Sequence, residues 1–218
     1  MASEAEVETA TVEDGIDLPV YLADSGSSFY DHAEGLARRN GFDLYTDEEG
    51  ALVFARFAVT SADHTFRYGE QIIDVSVERG SPLEGASVVP ESPASSLGGD
   101  TASWFVKDPS PHRADAGGGA ARLILSDPLL KTKEAATSTA DALLYFSQRA
   151  AVSGHVSVMG YAKVKLGEAV ALEGVPDAGV DGLYQVMSVS HRLDRRQGFR
   201  TVVGLGGMSS SGILGGLL

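Results

Sequence analysis

Residues Asp181–Leu205, DGLYQVMSVSHRLDRRQGFRTVVGL, read as one long β-hairpin, and the rest of the chain has to be fitted around it. From Met187 onward the odd positions are Met187, Val189, His191 and Leu193, followed on the return arm by Phe199, Thr201, Val203 and Leu205. Ser188, Ser190, Arg192 and Arg200 fall between them, an alternation that predicts one apolar face on each arm. Asp194-Arg195-Arg196-Gln197-Gly198 is polar and ends in glycine, the composition of a hairpin loop of about four or five residues. A two-stranded ribbon cannot bury its apolar face alone, so the remaining chain must supply the opposite wall.

Composition narrows what that remainder can be. With 218 residues, 43% of them hydrophobic, the chain can build a substantial core in one large domain or two small ones. Seventeen Lys and Arg against 30 Asp and Glu give a formal charge of −13, which argues against direct contact with nucleic-acid phosphates or an anionic membrane. The absence of cysteine excludes disulfides and thiolate metal sites. The amino terminus, MASEAEVETATVEDG, has neither a basic region nor an apolar run of the secretory kind, and no stretch reaches the roughly 20 apolar residues of a membrane helix. A soluble chain without membrane insertion is expected.

Residues 1–20 carry Glu4, Glu6, Glu8, Glu13, Asp14 and Asp17 and no Lys or Arg, the pattern of a solvated acidic arm or of an arm that docks on a basic neighbour. Residues 21–60 read as a helix plus a hairpin. Ser27 or Ser28 caps a helix running to Asn40, with Phe29, Ala33 and Leu36 on one face and Asn40-Gly41 as the stop. Phe42–Tyr45 and Ala51–Phe57 then flank the polar loop Thr46–Gly50.

Residues 61–205 form the main β-rich region. A single strand is expected over Phe66–Arg79, where Ile73, Val75 and Val77 alternate with Asp74, Ser76 and Glu78. Residues 80–119 read as a loop insertion rich in Pro, Gly, Ser and Ala, with Trp104-Phe105-Val106 as an apolar island. Such a loop is either a surface excursion pinned by Trp104 or a partner-contacting element. Leu123–Leu125 is a short strand, Lys133–Val152 an amphipathic helix, and Val156–Met159, Val164–Leu166 and Ala169–Leu172 further strands. The fold class expected is α+β and β-rich: a small helix-hairpin unit followed by a β-barrel with one flanking helix. Residues 206–218 are a Gly/Ser-rich tail whose Ile213, Leu214, Leu217 and Leu218 either fray or dock into a neighbouring subunit.

Chemistry is hard to find. There is no nucleophile elbow, zinc-binding helix motif, phosphate loop or EF-hand. His32, His64, His112, His155 and His191 are scattered rather than set at ligand spacing, so no catalytic residue, metal or cofactor is expected. His191 reads first as a hydrogen-bonded structural histidine; general acid/base work would require a carboxylate and a pocket. A cell-wall hydrolase would have to use Glu48, Glu49 or His191, and a carbohydrate-binding module would use Trp104 and Phe105.

The order of the pieces resembles the phage late control D protein family, the central baseplate hub of contractile phage tails and contractile injection systems. The resemblance rests on RYGEQIIDVSVERGSP, which contains Tyr68 and Gly69, then ADALLYFSQRAA, GHVSVMGYAKVKLGEAVALEGV and the hairpin itself. The family's G-Y-x-V-x-x-V-x-H pattern is met by Gly182, Tyr184, Val186, Val189 and His191 with Leu183 inserted, and its Gly-aromatic-x-T segment by Gly198, Phe199 and Thr201. The resemblance implies a tail-tube-like barrel, a homotrimer, and partners in an inner tube protein and a spike protein, with assembly in the cytoplasm into a virion or injection particle. It also implies that the family's usual amino-terminal barrel is either supplied by a second hub polypeptide or replaced by a different spike arrangement. In this reading Trp104, Phe105, Ile213, Leu214, Leu217 and Leu218 make the partner contacts.

Overall fold

A computed structural model describes residues 2, 6–18, 21–24, 26–58, 61–89 and 113–207. Among the described residues, two helices and twelve strands make the fold α+β and β-rich, as composition and patterning predict. Contacts divide the chain into two compact units, Met1–Arg56 with Leu83–Phe146, and Phe57–Pro82 with Ser147–Leu218. Trp104, Phe105, Ile213, Leu214, Leu217 and Leu218 lie outside the described residues.

In the first unit, α1 (Phe29–Asn40) follows from local signals. The Ser28 side chain accepts from the Asp31 N–H, the Asp31 carboxylate accepts from the Ser28 N–H, and Gly41 closes the helix in the left-handed conformation. These Ser28 hydrogen bonds hold the Asp31 carboxyl below its ordinary pKa. A depressed folded-state value means that the cap's contribution is complete above the unfolded carboxylate pKa and is lost as pH falls through the lowered one. Ser28→Ala is expected to cost about 1 kcal/mol at neutral pH, with a smaller difference in acid, read from paired denaturant titrations.

The hairpin β2 (Asp43–Thr46) and β3 (Leu52–Ala55) follows α1, with Phe42 and Phe54 edge to face at 5.2 Å. The acidic amino-terminal stretch is more than a solvated arm. Thr9–Val12 forms β1, which pairs in parallel with β3. Backbone pairing suits this stretch because its acidic side chains can stay in water while the main chain bonds.

Within residues 80–119, Gly85–Val89 forms β6 and Ala114–Gly117 forms β7; with β8 (Arg122–Ser126) they make a sheet of order β7-β6-β8. The small side chains that made this region look like loop, Ala86, Ala114 and Ala116, are buried. Ala114 and Ala116 belong to a core that includes Val88 and Leu130 together with Ala135, Ala136 and Ala140 of α2 (Lys133–Ala150). Thr132 caps α2 by accepting the Ala135 N–H at 3.1 Å.

The second unit is a six-stranded sheet of order β4-β10-β11-β12-β9-β5, built from β4 (His64–Arg67), β5 (Ile72–Arg79), β9 (Val152–Met159), β10 (Ala169–Glu173), β11 (Gly182–Asp194) and β12 (Gly198–Gly206). Its two end strands, β4 and β5, are consecutive in the chain and meet at a Tyr68–Ile72 bridge, so the sheet must curl until its edges approach at that end. The concave side holds Phe66, Val156, Val158, Val170, Leu172, Tyr184, Val186, Val203 and Leu205, each no more than 3% exposed.

Three expectations are corrected here. Phe66–Arg79 is not one strand: Gly69, at φ 81, turns the chain between β4 and β5. Val164–Leu166 is not a strand, although Val164 is buried in the core. The hairpin's first arm does not keep one phase. Tyr184 and Val186 face the core, and the register shifts between Val186 and Ser188. Met187, at the shift, is left 50% exposed; beyond it Val189, His191 and Leu193 keep one phase opposite Val203, Thr201 and Phe199, and Leu193, next to the turn, is 79% exposed. A one-residue bulge reverses which side every later residue points to.

Candidate functional site

The motif residues converge on the β11–β12 hairpin and its supports. Asp194 pairs with Gly198, so three residues bridge the arms, fewer than the loop composition implied. The Asp194 carboxylate accepts the N–H groups of Arg196 at 2.8 Å and Gln197 at 2.7 Å, and these bonds hold its pKa below the usual value. Gly198 supplies the positive φ of 71° that closes the turn.

Tyr184 is 2% exposed and anchors the β10–β11 loop. Its hydroxyl donates to the Val180 carbonyl at 2.5 Å and accepts from Arg79 Nη2 at 3.2 Å. Arg79 also donates to the Gly179 carbonyl, and the Asp181 carboxylate takes the N–H groups of Gly174 and Val175. Burial pushes the Tyr184 pKa up, with Arg79 working against it. Tyr184→Phe is expected to cost about 1–2 kcal/mol, because it leaves a carbonyl and a guanidinium short of a partner. Hydrogen exchange at residues 174–181 checks this: protection should fall there first, and unchanged protection would remove the anchoring role.

His191 is exposed and hydrogen-bonded through Nδ1 to Thr201 Oγ1 at 2.9 Å. Thr201 is fully buried, and its hydroxyl proton goes to the Tyr161 carbonyl at 2.7 Å. The bond from His191 therefore requires a proton on Nδ1, which assigns the imidazole tautomer. The His191 ring also lies against Phe199 at 5.7 Å, and the Phe199 carbonyl accepts the Gly160 N–H. The motif thus ties the hairpin to the segment after β9. Tyr68 is 50% exposed and forms the bridge at the β4–β5 turn, beside Gly69.

One network escaped the sequence. His64 on β4 places Nε2 2.9 Å from Glu168 Oε2 and Nδ1 3.1 Å from the Tyr161 hydroxyl, with the imidazole side chain 12% exposed. With its proton on Nε2, the ring donates to Glu168 and accepts the tyrosine proton. Glu168 Oε2 also accepts the Lys165 N–H at 2.7 Å, and Phe66 packs edge to face on Tyr161 at 5.2 Å. The group has the members of a proton relay, yet both His64 bonds join β4 to the segment 161–168. It acts as a cross-brace for an edge strand. Separations of 97 and 104 residues left no local pattern to find. Arg149 is a second hidden support: it is 5% exposed and donates to buried Gln185.

The residues nominated for hydrolysis fall in different units. Glu48 and Glu49 are exposed in the β2–β3 turn of the first unit, whereas His191 belongs to the second. Among the described residues no group of three or more His, Asp or Glu could hold a metal ion, and no helix is long and apolar enough to cross a membrane.

Neither a family model nor a curated protein matches the chain. Solved structures do. The chain is similar to the 43 kDa tail protein of prophage MuSo2 from Shewanella oneidensis, with a TM-score of 0.68 at 17% identity over 94% of this chain and 61% of that one. It is also similar to a tail protein from Neisseria meningitidis MC58, with a TM-score of 0.65 at 15% identity over 94% of this chain and 63% of that one. A chain in the virion of a native gene transfer agent particle gives a TM-score of 0.52 at 14% identity over 80% of this chain and 38% of that one. The chain therefore spans less than two thirds of the length of these neighbours. At such identities the likeness shows the fold, which this chain shares with these two tail proteins.

Proposed function

We propose that this chain is a structural component of a phage tail or contractile injection particle. Its more specific role in this reading is that of a baseplate hub subunit akin to the late control D family. It would join the inner tube to the central spike as a homotrimer, with a further polypeptide or a different spike arrangement completing the hub. One observation carries the reading: a curled sheet organised on the β11–β12 hairpin belongs to an architecture shared with tail proteins over 94% of the chain. Residues engaged in braces and caps rather than aimed at a reacting atom support a scaffold role. Trp104, Phe105, Ile213, Leu214, Leu217 and Leu218 are the partner contacts assigned in this proposal. Co-purification with a tube protein and a spike protein, followed by stoichiometry, tests it. Three copies around one axis is the expected result; a chain that binds neither partner sinks the proposal.

A further inference from the structure

In a chain of formal charge −13, the densest run of basic residues in the sequence falls at the end of the β11–β12 hairpin. Arg192, Arg195, Arg196 and Arg200 lie within nine positions of one another, with Asp194 as the acid among them. The Asp194 carboxylate is committed to the turn through the N–H groups of Arg196 and Gln197, and lies 3.6 Å from Arg192 Nε. The arginine backbones are thus held in place while Arg192, Arg195 and Arg196 remain exposed. The Nε–H of Arg200 is buried and has no hydrogen-bond partner among the described residues.

Apolar surface accompanies this charge. Leu193, at the centre of the tip, is 79% exposed, and Met159, in register with Arg200 on β9, is 65% exposed. Exposed aliphatic side chains beside guanidinium groups, Leu193 on one face of the ribbon and Met159 on the face of Arg192 and Arg200, are the composition of a contact surface rather than of a solvated turn.

The complementary surface is present in the same sequence. The chain has no Lys or Arg before Arg38, and Glu8, Asp14 and Asp17 are exposed around β1. β1 stands at the end of the β1-β3-β2 order, and its Val12 is 59% exposed. An edge strand with an exposed valine and no positive charge nearby in sequence is an open docking template.

We propose that the hairpin tip docks on a second copy of the chain, seating Leu193 and the guanidinium groups of Arg192, Arg195 and Arg196 against the acidic edge around β1. The contact is head to tail, since it joins two different surfaces, and it repeats around an axis when the rotation closes. Individually exposed ion pairs are weak, so the association gains from several pairs acting beside the Leu193 and Val12 contact and is salt-dependent. Phosphate-bearing partners are disfavoured by the net charge of the whole chain. The inference supplies a contact for the multimer in the functional reading above, and it can fail separately from that reading.

The test is sedimentation of the full chain at about 50 mM and 500 mM salt. The parent should self-associate, at least about tenfold more weakly at the higher salt. The tip variant Arg192→Glu/Arg195→Glu/Arg196→Glu and the edge variant Glu8→Arg/Asp14→Arg/Asp17→Arg should each lose association, while a chain carrying both sets should regain it. Thermal melts show whether each variant is folded; were the triple edge variant to unfold, an equimolar mix of the tip variant with Asp14→Arg/Asp17→Arg replaces it and should co-sediment. A parent that is monomeric at both salts, or a tip variant that associates as the parent does, overturns the proposal. So does tip-dependent binding to duplex DNA or to anionic vesicles without self-association. A tip variant that still forms three copies with tube and spike proteins removes this contact and leaves the hub role standing. Failure of the parent to bind tube and spike removes the hub role and leaves the contact.

Discussion

Gly154→Ala is expected to destabilise the second unit by about 3 kcal/mol or more, the largest effect anticipated for so small a change. A Cβ at this position would sit 2.2 Å from the Ser76 carbonyl oxygen and 2.9 Å from Val77 Cα. Both atoms are main chain of the paired strand β5, where Gly154 faces Val77 in register. Neither can rotate aside, so the methyl group can be accommodated only by separating β5 from β9. That separation also draws Val75 and Val77 away from the core they pack against. Gly204→Ala provides the contrast. There the nearest atom, at 2.3 Å, is the Ser188 hydroxyl, which a change of rotamer can move, and about 1 kcal/mol is expected. Denaturant unfolding of the two variants checks the ranking. A Gly154→Ala protein within about 0.5 kcal/mol of the parent would mean that the strands are not packed as closely as described.

Asp127→Ala should cost the first unit about 3 kcal/mol. The Arg39 Nε–H donates to Asp127 Oδ2 at 2.7 Å, and the two side chains are 22% and 7% exposed. The second carboxylate oxygen accepts the Leu129 N–H at 3.0 Å, one residue before the fully buried Leu130. Truncation therefore isolates a guanidinium in a poorly solvated place and frees a backbone donor at the same time. The double variant Arg39→Met/Asp127→Leu removes both charges and should recover part of the loss. A coupling of about 1–3 kcal/mol in the double-mutant cycle would mark the pair as interacting. If the single variant loses under about 1 kcal/mol, the pair does not brace α1 against the turn before α2.

These two positions differ in how far they could be read in advance. Gly154 lies in the sequence just past the helix expected over Lys133–Val152, yet its importance comes from the strand that lies against it. Asp127 before Pro128 marks a strand end, and nothing near it points to Arg39, 88 residues away. By contrast α1 was legible almost to the residue, because Ser28, Asp31 and Gly41 act on neighbours three to five positions off. The β2–β3 hairpin was legible for the same reason.

Strand phase was not. The apolar alternation of β12 holds, with Thr201, Val203 and Leu205 all buried. On β11 and β5 a bulge interrupts it, between Val186 and Ser188 and between Ile72 and Asp74. A bulge is a property of a pair of strands, and one strand's sequence does not announce where its partner falls short. The basic hairpin tip shows the same division: its arginines could be counted in the chain, but that Leu193 stands 79% exposed among them while Thr201 and Val203 of the return arm are buried is a fact of tertiary packing.

Local physics, acting through caps, turns and alternation, determined from sequence alone that this protein is β-rich, where its first helix starts and stops, and that Asp181–Leu205 is its central hairpin. Tertiary structure decided that an acidic stretch becomes strand β1, that β4 and β5 form opposite ends of a curled sheet, and that His64, Glu168 and Tyr161 form one brace. The reason is range: hydrogen-bonded pairing and ion pairs between distant segments depend on backbone geometry that no window of neighbouring residues encodes.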